Sequence, residues 1–64
     1  GECRMRKYFP EVVNIFVMTA QERINLYMKA IGYLNSDEKE EVKEYSKKIM
    51  YFLYNHYHSE ICGV

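Results

Sequence analysis

The sequence predicts an all-α protein: an antiparallel helical hairpin of two long helices that dimerises into a four-helix bundle. Three observations carry this expectation. Val13, Val17, Ala20, Ile24, Tyr27, Ile31 and Leu34 recur at spacings of 4, 3, 4, 3, 4 and 3, the period of a helix with one apolar seam. A second series, Val42, Tyr45, Ile49, Phe52 and His56, follows at a similar period after a short polar joint. The chain has only 64 residues, and a core of that size rarely supplies more than about 3–5 kcal/mol without a staple. With 48% of the residues apolar, a second copy of the chain is the expected staple.

The expected organisation is a basic arm over residues 1–9, a hairpin over 10–60 and a short tail over 61–64. The first helix is predicted over about residues 10–31. Pro10 suits a first helical turn because its missing N–H is unpaired there anyway, and Glu11 complements the positive end of the dipole. Polar Glu11, Asn14, Glu22, Asn25 and Lys29 collect opposite the seam. Two alternatives compete within this stretch. The β-branched run over 12–18 admits a strand, and Thr19-Ala20-Gln21-Glu22 is a capping box that can begin a helix afresh. The helical phase passes through both without a slip, which favours one long helix.

Gly32 is expected to close that helix in the left-handed conformation, leaving a joint over 32–35. Ser36 then serves as N-cap of a second helix over about 36–59, with Asp37, Glu38, Glu40 and Glu41 in its first turns. Equal lengths and a short joint imply antiparallel packing. The second half of this helix is apolar or aromatic all round, more than one neighbouring helix can cover. Ile49, Met50, Tyr51, Phe52, Leu53, Tyr54 and Tyr57 are therefore the candidate interface residues, with Tyr51, Tyr54 and His58 as a separate stripe. Their expected occupant is a second copy of the chain, or a different protein held by the tyrosines.

Nine basic residues balance nine acidic ones, so no global charge favours nucleic acid or an anionic membrane. No apolar run approaches the roughly 18 residues of a spanning helix, and Pro10, Glu11 and Asn14 interrupt the outline of a signal peptide. Two cysteines are few for a secreted disulfide scaffold, so the expected location is cytoplasmic. A hairpin brings Cys3 near His58 and Cys62, a weak zinc-ligand candidate, and a Cys3–Cys62 disulfide is a second alternative, but the expectation is two free thiols and no metal. No phosphate-cradling loop or nucleophile elbow is present, and His56 has no oriented partner in sequence. The expectation is a non-catalytic interaction module without a cofactor, an adaptor or regulator.

Arg4, Arg6 and Lys7 make a small basic arm. If residues 12–18 form a strand, the order becomes arm, strand, helix, glycine turn and Ser-capped helix, which resembles the ribbon-helix-helix repressor family over about residues 5–57. The resemblance implies a dimeric DNA-binding regulator. Arg4, Arg6, Lys7 and Asn14 would be its nucleic-acid contacts, Asn14 being the only polar base reader in the strand.

Overall fold

The computed structural model describes residues 7–10 and 14–62, and every regular element within them is helical. A 3-10 turn, Ile15–Val17, leads into three α-helices: α1, Ala20–Leu34; α2, Glu40–His56; and the short α3, His58–Cys62. Helix α1 therefore starts at Ala20 and not near Pro10. Local hydrogen bonding explains the difference. The Asn14 side chain accepts the Phe16 N–H at 3.1 Å and holds the 3-10 turn. At Thr19 the capping box closes in both directions: its hydroxyl accepts the Glu22 N–H at 3.2 Å, and the Glu22 carboxylate accepts the Thr19 N–H at 2.8 Å.

These bonds break the long helix expected over 10–31, and Val17, a member of the expected seam, is 77% exposed. The strand expected as the alternative over 12–18 is absent at residues 14–18, where the turn stands. Val12 and Val13 lie outside the described residues, as does Glu11.

The joint also moves. Gly32 lies inside α1 without a positive φ, so it does not end the helix. The helix closes three residues further on, where the Asn35 N–H donates to the Ile31 carbonyl and Ser36 donates to Tyr33 from both its N–H and its hydroxyl. Ser36, expected to cap the second helix, is thus spent on the end of the first. Helix α2 begins instead after Lys39, which offers no side-chain cap, with Glu40 and Glu41 complementing the dipole in its first turn. It stops at His56 and does not run on to 59. Tyr57, at φ −130° and ψ 37°, ends α2 by donating its N–H to Leu53 and starts α3 by accepting from Glu60 and Ile61.

The two long helices run antiparallel. Arg23, in the first turn of α1, bonds Glu60 beyond the end of α2, while Phe9 touches both Tyr33 late in α1 and Tyr45 early in α2. The buried line on α1 is Arg23, Leu26 and Ala30, continued by half-buried Tyr33. Each of these stands one residue before a member of the expected seam, Ile24, Tyr27, Ile31 and Leu34. One residue is about 100° of helix, so the seam faces away from α2 by a quarter turn. On α2, Val42 and Ile49 are buried as the period predicts, but Ser46 and Leu53 replace Tyr45 and Phe52, and His56 is exposed. Ala30 and Ser46, both fully buried, let the helices approach more closely than the bulkier seam residues would. The buried Ser46 hydroxyl is satisfied by the Val42 carbonyl at 2.8 Å.

Candidate interaction surface

The one-residue rotation gives the hairpin two unlike flanks. Because the helices are antiparallel, residues one position before the core line on each helix lie on the same side. That side carries Glu22, Asn25 and Lys29 of α1 with Tyr45 and Phe52 of α2, and the N-terminal segment covers it. Phe9, almost fully buried, packs its ring 5.2 Å from Tyr33 and 5.6 Å from Tyr45, with the Lys29 ammonium over its face. Met18 closes a groove with Glu22, Asn25, Leu26 and Lys29. Phe16 makes an edge contact with Phe52 at 5.7 Å while staying 65% exposed.

Residues one position after the core line lie on the opposite flank. Here α1 presents Ile24, Tyr27, Ile31 and Leu34, and α2 presents Met50 and Tyr54 with Lys43 and Lys47 toward the joint. The four α1 residues and Met50 are half-buried, and Tyr54 is 43% exposed. The heptad spacing is thus real, but it marks the open flank and not the contact between α1 and α2.

At the open end of the hairpin a single side chain gathers three segments. Arg23 donates from Nε to Glu60 at 2.8 Å and from one terminal nitrogen to the other carboxylate oxygen at 2.7 Å. Its second terminal nitrogen donates to the carbonyls of Ile15 and Met18, and its guanidinium lies 4.0 Å from the centre of the Tyr57 ring. The fork geometry of guanidinium matches the carboxylate, and the remaining donors fix the 3-10 turn. These hydrogen bonds, reinforced by attraction between the charges, hold the Glu60 carboxyl below its ordinary range against partial desolvation. The bond to Glu60 raises Arg23 likewise. No periodicity argument flags Arg23, because a charged residue beside Glu22 reads as part of a wet face.

The expected interface residues separate into three groups. Ile49 and Leu53 belong to the core; Met50, Phe52 and Tyr57 are half-buried; Tyr51 and Tyr54 stand exposed, Tyr51 at 56%. His56 stacks on Phe52 at 4.3 Å, and Tyr54 meets His58 edge-on at 4.7 Å. Of the expected zinc ligands, His58 and Cys62 do meet, with Nε2 and Sγ 3.2 Å apart, and the Cys62 thiol is free and exposed. Cys3 lies outside the described residues. Arg4 and Arg6 do too, Lys7 sits over the Tyr8 ring, and Asn14 is occupied as a cap, so no base-reading ribbon forms at 14–18.

Among the described residues, no helix is long and apolar enough to cross a membrane. No known protein family, curated protein or solved structure matches the chain.

Proposed function

We propose that this chain is a small, non-catalytic interaction module that pairs with a second copy of itself through the open flank of its hairpin and serves as an adaptor or regulator. The observation that carries this is the position of Ile24, Tyr27, Ile31 and Leu34, a 3-4-3 apolar stripe one residue off the core line and beside Met50 and Tyr54. A heptad stripe is the surface by which two helices interlock, and two identical stripes related by a twofold axis are self-complementary. Pairing would bury the α1 stripes of two hairpins together and form a four-helix bundle. It would also add apolar burial that a 64-residue core lacks. Tyr51, outside that flank, and the exposed Phe16 and Val17 at the open end would then remain for a different protein.

Sedimentation equilibrium at micromolar concentration tests this reading, with Tyr27→Glu and Ile31→Glu as paired variants. The unaltered chain is expected to sediment as a dimer and both variants as monomers of reduced stability but matching helix content. An unaltered chain that is monomeric and fully folded throughout the concentration range overturns self-association.

A further inference from the structure

We propose that His58 and Cys62 form a two-residue chelate for a borderline-soft divalent cation such as zinc, on the exposed face of α3. The two residues are one helical turn apart, and their donor atoms already face each other, Nε2 to Sγ, at 3.2 Å. Metal bonds of about 2.3 Å to sulfur and about 2.0 Å to nitrogen, meeting at a tetrahedral angle, require about 3.5 Å between the donors. The pair therefore needs to open by only a few tenths of an ångström, within the play of two exposed side chains. In the free chain the two atoms share a hydrogen bond, and a bound ion would take the place of the proton between them.

The surroundings favour this use. The His58 ring is set edge-on against Tyr54, with centroids 4.7 Å apart and planes at 89°, which steadies the imidazole while leaving Nε2 toward the thiol. Glu60, between the two in sequence, is turned away into its bonds with Arg23, so it does not compete as a ligand. Among the described residues no group of three or more histidine, cysteine or acidic side chains converges. The chelate thus supplies two ligands, and water completes the shell. Binding exchanges the thiol proton of Cys62 for the metal: the S–H bond breaks, the S–metal bond forms, the proton leaves to solvent, and neutral imidazole donates its lone pair. Such a half-open site exchanges its ion and is suited to metal-responsive binding more than to holding the fold.

Cobalt(II) is the probe, titrated into the reduced 64-residue chain near neutral pH. A thiolate-to-cobalt charge-transfer band in the near ultraviolet is expected, displaced by zinc. It should be abolished by Cys62→Ser, reduced at least tenfold in affinity by His58→Ala, and retained by Cys3→Ser. Proton release on adding zinc to the unaltered chain, one proton for each bound ion, provides a second readout that needs no variant. A chain that gives no such band, a band that survives His58→Ala at full affinity, or one that is lost with Cys3→Ser overturns the chelate.

Discussion

Arg23 and Glu60, 37 positions apart in sequence, are joined by two parallel hydrogen bonds of 2.8 and 2.7 Å. This pair carries unusual weight because the segments it holds cannot hold themselves. Helix α3 has five residues and the 3-10 turn three, both well below the length at which an isolated helix is stable in water. Arg23 reaches both at once, Glu60 on one side and the carbonyls of Ile15 and Met18 on the other.

Replacing Arg23 by Met keeps the stem and removes all of these donors. The expected outcome is faster amide exchange over residues 15–18 and 58–62, with protection in α1 and α2 largely retained. Glu60→Gln should loosen α3 and leave the 3-10 turn closer to its native protection, since the bonds to Ile15 and Met18 survive. Exchange measured residue by residue checks this; equal loss over both segments in Glu60→Gln would mean that they are held by something other than two separate arms of one guanidinium.

The same pair predicts an acid limb. Glu60 has a folded-state pKa below its unfolded one, so its contribution is complete above the ordinary carboxylate value of about 4.3 and is lost as pH falls through the lowered value. The bond to Glu60 raises Arg23 further, so it stays charged throughout this range. The gap in melting temperature between the unaltered chain and Glu60→Gln is therefore expected to be constant from about pH 7 to 5 and to close toward lower pH. Taking the difference removes the titration of the other carboxylates. A gap that widens on acidification would reverse the sign of the linkage.

Core and surface within α2 lie two positions apart. Leu53 is fully buried, and Leu53→Ala should cost about 2–5 kcal/mol, a large share of the stability of so small a domain. Tyr51, 56% exposed, should tolerate Tyr51→Ala within about 0.5 kcal/mol in the monomer. Denaturant titration of both variants at a concentration below any association checks the pair of values.

The helical class, the antiparallel hairpin and half of the α2 core line were legible because apolar period is a property of the sequence alone. The phase of α1 was not. Its seam is the more hydrophobic stripe, Ile24, Tyr27, Ile31 and Leu34, whereas the buried line includes an arginine and an alanine. Arg23 is buried through partners that lie far away in sequence or are backbone carbonyls, which no local pattern contains. Ala30 and Ser46 are buried because they are small, a property that hydrophobic ranking undervalues. Thr19 illustrates a different limit. Its capping box is visible, but the uninterrupted period outweighs it, and two reciprocal hydrogen bonds with Glu22 decide the boundary. His58 and Cys62 lie side by side in the structure, and a separation of four on a helix is a local relation that the sequence displays.

Gly32 offers a test in which the sign of the effect separates two accounts of the joint. Were Gly32 the left-handed residue that ends the helix, a side chain there would strain the backbone and Gly32→Ala would destabilise. In the structure Gly32 is an interior residue of α1, exposed and without a positive φ, and a Cβ built on it meets nothing within 4 Å. The substitution then adds no clash, reduces the freedom of the unfolded chain and raises helix propensity, so Gly32→Ala is expected to stabilise by about 0.5–1 kcal/mol. Thermal unfolding followed by circular dichroism reads the outcome directly. A lowered melting temperature would place the end of α1 at Gly32 and return Ser36 to the start of α2, undoing the hydrogen bonds that now tie it to Tyr33.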